Sequence, residues 1–334
     1  MRKTRFTRLL APIVALGLAT TACAGGSGGS GEAGGGNGQP VRGLEVIVPN
    51  SPGSGYDTTA RAAAKAMEDA GLARSVEVSN VAGAGGTVGL QRVVNEKGNG
   101  DLLLQMGLGV VGAVYTNKSE ATLQETTPVA RLIEEAEAIV VPKDSPYQTL
   151  EDLLTAWKAD PGKLPVGGAS APGGPDHLTP MLLAKAAGPA PKDVNYVAYD
   201  GGGELMTSLL GSKVAFGATG TGEVAEQAKS GEVRVLAVTS AKRVPDVDAP
   251  TLKEAGVELT FTNWRGLVAA PGISEEDKSR LTELVDQMRK TEEWKAALVE
   301  NDWTDAYLGG EQFTGFLQSE NDRVKQVLSE LGFA

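Results

Sequence analysis

The chain has one cysteine, one histidine and few aromatic residues, 5% Phe, Trp and Tyr together, and each shortage removes a class of chemistry. A single thiol, Cys23, permits no intrachain disulfide and no thiolate metal site. A single imidazole, His177, excludes a metal centre built on paired histidines and leaves any Ser–His pair dependent on it alone. Positive charge is also short: 31 Lys and Arg face 42 Asp and Glu. That balance is the reverse of what a phosphate backbone demands, so nucleic acid is not an expected partner. Near the N-terminus the apolar stretch Leu9–Ala19 reaches about 16 Å as a helix, half of a ~30 Å hydrocarbon core.

That stretch follows Arg2, Lys3, Arg5 and Arg8 and precedes Thr20-Thr21-Ala22, the layout of an export signal rather than a membrane span. Cys23, directly after Ala22, resembles the lipobox of bacterial lipoproteins, where the cysteine is lipidated and becomes the mature N-terminus. Thr20 stands where the usual leucine would. An ordinary secreted protein with a stray cysteine is the alternative. The expected order is a signal peptide over residues 1–22, a lipidated Cys23 heading a Gly/Ser-rich linker over residues 23–43, and a folded region from Leu44. Loss of residues 1–22 removes four basic residues and no acidic ones, leaving a charge of −15, 27 against 42. Such a chain would be held at an anionic membrane by its lipid, not by surface charge. Ala24–Gly43 has little to bury and, as a flexible coil, spans roughly 25 Å. Within it Gly25–Gly29 fits G-x-S-x-G, but no strand precedes it and no helix follows, so the match is compositional. With Cys23 used as anchor, stability must come from packing.

From Leu44 onward short β-rich runs alternate with helix-periodic segments. Strands are expected at Leu44–Val48, Val76–Asn80, Leu102–Met106, Val129–Leu132, Ala138–Val141, Pro165–Gly168, Val194–Val197, Val214–Gly217 and Val233–Val238. Helices are expected at Thr58–Ala70, from Val88, and at Leu150–Lys158, the last capped by Thr149. Ser274 opens a helix carrying Leu281, Leu284, Val285 and Met288, and Phe313 to Leu331 forms the last one. This alternation predicts an α/β fold with largely parallel strands covered by helices. Glu134–Pro142 and Asn263–Pro271 are apolar runs ending in proline. They read either as strands carrying the chain between two lobes or as ordinary strands of one sheet.

The densest chemical signal is Asn50-Ser51-Pro52-Gly53-Ser54-Gly55-Tyr56-Asp57, between the first strand and first helix. Gly53 and Gly55 let this loop point N–H groups into a cleft beside the positive end of the helix dipole. Gly83-Ala84-Gly85-Gly86 repeats the chemistry after the next strand. Two such loops at the carboxyl ends of parallel strands would face one crevice. Several charge-assisted hydrogen bonds, about 1.5–3 kcal/mol each, would then hold an anion without any lysine. Glycines serving only helix packing are the competing reading. Gly83-x-Gly85-x-x-x-Gly89 misses the dinucleotide spacing, so no cofactor is expected. Asp57 reads more simply as a helix cap, and His177 as a capping or packing side chain, than as acid or base.

These segments resemble one family. Val46–Tyr56 with Asp57, Ala60 and Arg61, Val81–Gly86, Asp160–Leu164, Gly168–Leu178, Val197–Glu204, Ala237–Arg243, Pro250–Gly256 and Trp264–Pro271 are similar to the substrate-binding proteins of tripartite tricarboxylate transporters, the Bug family. The resemblance spans the chain beyond the linker. It implies a two-lobe periplasmic-binding-protein (type II) fold with two hinge crossings, lobe 1 being residues 44–141 plus 267–334 and lobe 2 residues 142–266. It implies a small carboxylate, of di- or tricarboxylate type, held by backbone donors between the lobes, hinge closure without turnover, and delivery to a membrane permease by a lipid-anchored, extracytoplasmic monomer. Carried onto this chain, the ligand-binding residues are Ser51, Gly53, Ser54, Gly55, Tyr56, Asp57, Gly83, Ala84, Gly85 and Gly86. The second lobe adds Ser170, Gly173, His177, Tyr199, Gly201, Gly202, Thr219 and Thr221. Asn50 replaces a usual aromatic and Tyr56 a usual small residue, and Gly107–Gly109 and Gly217–Gly222 are unusually glycine-rich, so ligand identity is left open. Two other classes compete: an exported hydrolytic enzyme using Asp57 with Asp200 or Glu204, and a binding protein serving a sensor kinase.

Overall fold

A computed structural model describes residues 40–199 and 201–333. The expected export signal, Cys23 and the expected linker to residue 39, together with Asp200 and Ala334, lie outside the described residues. Strands are β1 (Val41–Arg42), β2 (Glu45–Val48), β3 (Ala73–Arg74), β4 (Glu77–Asn80), β5 (Leu102–Gly107), β6 (Thr127–Pro142), β7 (Val166–Gly168), β8 (Tyr196–Ala198), β9 (Phe216–Gly220), β10 (Val233–Val238), β11 (Thr262–Ala269) and β12 (Thr304–Gly309). Helices are α1 (Gly55–Asp69), α2 (Thr87–Asn95), α3 (Leu108–Thr116), α4 (Leu150–Ala159), α5 (Pro175–Ala187), α6 (Gly202–Leu210), α7 (Thr221–Lys229), α8 (Glu275–Met288), α9 (Glu292–Glu300) and α10 (Gly310–Glu330).

Most strands join one sheet in the order β4-β2-β5-β11-β6-β9-β7-β8, with β10 and β12 also on β6. The sheet has two halves that share β6. Residues 127–136 of β6 pair with β11, and β12 joins them from Ala130 to Glu134. From Glu137 on, the same strand pairs with β9 and β10. The two strands expected at Val129–Leu132 and Ala138–Val141 are therefore one strand of 16 residues. Glu134–Pro142, expected as a strand on its own, is the second part of it, with Glu134, Glu135 and Glu137 inside the strand. β9, β10, β11 and β12 all run antiparallel to β6, so the sheet is mixed rather than largely parallel. A chain that crosses on β6 and returns on β11 must run the opposite way. The expected linker also ends sooner than residue 43. Val41 and Arg42 pair in parallel with Ala73 and Arg74, and the Val41 N–H donates to Leu72 O at 3.0 Å.

Apolar patterning explains the packing. β5 (LLLQMG) is buried at every position because helices cover both faces of its half of the sheet. Burying each such side chain contributes about 1.5–3 kcal/mol. Leu104→Ala would therefore cost about 2–5 kcal/mol. α1 lies close on the sheet because its inner face is small, with Ala60, Ala63 and Ala66 beside Met67. The caps fall where the residues place them. Thr149 Oγ1 accepts from the Asp152 N–H at 3.2 Å, and Asp152 Oδ2 accepts from the Thr149 N–H at 2.9 Å, a reciprocal capping box. Ser274 Oγ accepts from the Asp277 N–H at 3.0 Å. α10 braces the halves: Trp264 Nε1–H donates to Glu320 Oε2 at 2.9 Å, and Glu330 pairs with Lys185 of α5. Among the described residues no helix is long and apolar enough to cross a membrane.

Candidate functional site

A cleft of about 530 Å³ opens where the two halves of the sheet meet, within the usual range for small-ligand sites. Its first wall is built on loops that follow β2, β4 and β5. Ser54 begins α1, its Oγ accepting from the Asp57 N–H at 3.3 Å. Asp57 accepts from the Gly53 N–H at 2.9 Å, Asn80 Nδ2 at 2.9 Å and Arg61 Nε at 3.0 Å. Burial works against ionising Asp57, but these donors together outweigh it and hold its pKa below the ordinary value. Asp57 thus ties the first loop to α1 and to β4, and it stands behind the wall rather than on it.

The second loop runs Gly83 (φ +139°), Ala84 (+47°), Gly85 (+63°) and Gly86 (+101°). Left-handed backbone at successive positions favours glycine and turns N–H groups toward one concavity. Asn117 Nδ2 donates to Ala84 O at 3.0 Å and steadies it. Tyr56 lies between the loops, its hydroxyl accepting from the Gly109 N–H at 3.1 Å. Burial pushes its pKa up to about 12, so it stays neutral. Arg265 of β11 brings a cation to this wall. Its guanidinium lies against Gly55, where a Cβ would come within 2.5 Å of Nη2. Nη2 also donates to Glu135 Oε2 at 2.7 Å in a buried ion pair.

The second wall belongs to the loops after β7 and β8 and to the start of α7. Asp176 Oδ2 accepts from the Ala169 N–H at 2.7 Å, and Oδ1 from the Ser170 hydroxyl at 2.7 Å. Glu223, in the first turn of α7, accepts from the Thr219 hydroxyl at 2.5 Å. Its carboxylate sits at the start of α6, where a Cβ on Gly202 would come within 2.7 Å of Oε2. Behind both lies Glu137, fully buried, with no hydrogen-bond partner on either oxygen among the described residues. Burial, then repulsion from Asp176, Glu135 and Glu223, raises the Glu137 pKa well above the carboxylate range. Burial likewise raises Asp176. Away from the lining, the two sides touch backbone to backbone. A Cβ on Gly112 of α3 would overlap the Gly173 carbonyl.

Of the residues expected here, Ser51, Gly53, Ser54, Gly55, Tyr56, Gly83 and Gly85 line the first wall, and Ser170, Tyr199, Gly201 and Gly202 the second. Asp57, Ala84, Gly86, Gly173, His177, Thr219 and Thr221 are not on the lining. His177 is 1% exposed, packed edge-on against Tyr196 and Phe333. Its Nδ1 accepts from the Gly173 N–H at 3.1 Å, and burial lowers its pKa to about 4, so it is neutral packing that fixes the Gly173 turn. Thr219 is interior because β9 starts two residues later than expected and extends to Gly220. Asp200 lies outside the described residues, and Glu204 is not on the lining. Arg265, Asn263, Asp176, Glu223 and Asn117 line the cleft without having been expected. A signal existed for Arg265, a lone cation inside the apolar run Asn263–Pro271.

Three proteins are similar to this chain. Protein BugT of Bordetella pertussis is 27% identical over 88% of this chain and 90% of its own. The crystal structure of a TctC solute binding protein from Polaromonas superposes with a TM-score of 0.72 at 27% identity, covering 87% of this chain and 99% of that one. MatC from Rhodopseudomonas palustris, with bound malate, gives 0.72 at 25% identity, covering 86% and 99%. The fold is that of two-lobe periplasmic binding proteins. The model of the tripartite tricarboxylate transporter family receptor, TctC, matches residues 59–333, and the chain belongs to that family of solute-binding receptors.

Proposed function

We propose that this receptor captures a small carboxylate outside the cytoplasm by closing its two lobes, and delivers it to a tripartite transporter permease without chemical turnover. One observation carries the reading: two loops of left-handed or glycine-flanked backbone meet the N-terminus of α1 on a single wall, with the Arg265 guanidinium beside Gly55. Backbone donors, a helix dipole and a cation at one place suit a carboxylate. The malate held by MatC supports the class. Ser51, Gly53–Tyr56, Gly83 and Gly85 would hold the acid on lobe 1, and Ser170, Tyr199, Gly201 and Gly202 would complete the site from lobe 2, with Ala84 and Gly86 shaping the second loop. β6 and β11 carry the crossings between the lobes, and the pairing supports crossings near Glu137 and Thr262 rather than at the expected 141/142 and 266/267. Asp57, Gly173, His177, Thr219 and Thr221 support the loops from behind.

Differential contact with both walls favours the closed form, which is how a ligand moves such an equilibrium. A lipid on Cys23 would keep a monomeric receptor within reach of its permease. Isothermal titration of the full chain against mono-, di- and tricarboxylates tests the proposal, with chromatography of the acid afterwards. One-to-one binding and unchanged acid are expected. Silence across the panel, or consumption of the acid, would sink it.

A further inference from the structure

The second wall of the cleft presents carboxyl groups where a doubly anionic ligand would place its second charge. Glu223 and Asp176 line it, with Glu135 and Glu137 behind. Arg265 is the one cation among the described lining residues, and its Nη2 is already engaged by Glu135 at 2.7 Å. The two lining carboxylates differ in what they have left to offer. Both Asp176 oxygens accept protein hydrogen bonds. Glu223 spends Oε2 on Thr219, and its Oε1 has no protein partner among the described residues. Glu137 adds two unpartnered oxygens at 0% exposure in the same cluster. No three of these groups come together as metal ligands among the described residues.

We infer that the ligand is a small zwitterion whose carboxylate meets the glycine loops and whose ammonium group meets Glu223. This rests on the carboxylate-capture reading and refines it. A second carboxylate placed at Glu223 would lie against like charge, whereas an ammonium supplies the missing cation and donates to the Glu223 oxygen that faces the cleft. The groups facing Glu223 are Asp176 on α5, Glu135 and Glu137 on β6 and Arg265 on β11. Burial, followed by the Asp176 charge, raises Glu223 to about 7, the condition of an acid short of a counter-charge. An ammonium in contact reverses that shift.

The test compares ligands matched in length that differ at one end: succinate with 3-aminopropanoate, glutarate with 4-aminobutyrate, adipate with 5-aminopentanoate. Glutarate and glutamate are added as an α-amino pair. Calorimetry on the full chain at pH 7.5 should show an amino acid binding about tenfold or more tightly than its matched dicarboxylate in at least one pair. Glu223→Gln, checked for folding by thermal unfolding, should erase that preference. Dicarboxylates binding equally or more tightly in every pair would overturn the inference and leave carboxylate capture standing. So would dicarboxylate binding that strengthens from pH 8 to 6 with no amine preference, since Glu223 would then be donating a proton. A chain that binds no member of any pair loses both readings.

Discussion

The two walls of the cleft solve the same task with opposite materials. The first is almost all backbone: glycine loops, the start of α1 and one guanidinium. The second is side-chain acid: Asp176 and Glu223 on the surface, Glu135 and Glu137 behind. Backbone donors are fixed by the path of the chain, cost little to orient and accept any carboxylate. Side-chain acids are selective, and they hold their charge only at the expense of stability, because burial penalises the ionised form. The first wall therefore accounts for the ligand class, and the second is where this receptor can differ from its relatives.

Several substitutions break or sharpen that contrast. The largest effect is expected at Arg265, which joins the walls. Arg265→Met leaves Glu135 buried and unpaired and should cost about 3–5 kcal/mol in chemical denaturation. Adding Glu135→Met should recover most of it if the loss is an orphaned charge. Next comes Glu223. Its pKa is raised on folding, so its contribution is intact below about pH 4.5 and is lost as pH rises through its folded value of about 7. Unfolding midpoints of the ligand-free chain should thus fall between those limits. Glu223→Gln should flatten the decline and raise the midpoint at pH 8; an unchanged slope would remove Glu223 as its source. Gly112→Ala pushes a methyl group into Gly173 and should weaken ligand binding by about 1–2 kcal/mol, with the thermal midpoint of the free chain little changed. Smallest is Asp57→Asn, expected to cost about 1 kcal/mol. Because the Asp57 pKa is lowered, its stabilisation is present above the ordinary carboxylate value and is lost as pH falls through the depressed one, so the variant should also soften acid unfolding.

The same contrast explains what could be read from the residues alone. Gly53, Gly55, Gly83 and Gly85 are dense in the sequence, lie between a strand and a helix, and have few other uses, so the first wall was legible. The second wall was not. Asp176 sits in a glycine- and proline-rich stretch, Glu223 three residues beyond a strand whose end was misplaced, and Glu137 inside the run Glu134–Pro142, which reads as apolar. They meet only because β6, β9 and the start of α5 converge, and no local spacing encodes that. His177 drew notice because it is single, yet rarity in composition says nothing of position. Its burial comes from Tyr196 and Phe333, residues 19 and 156 places away. The helix caps were legible for the opposite reason: Thr149 with Asp152, and Ser274 with Asp277, act within one turn.

Small-angle scattering of the full chain, with and without a saturating carboxylate that calorimetry shows to bind, tests the central claim most directly. Capture between lobes predicts a smaller radius of gyration in the bound state, and loss of that compaction in Gly112→Ala. Tight binding of a carboxylate with an unchanged radius would contradict capture by closure.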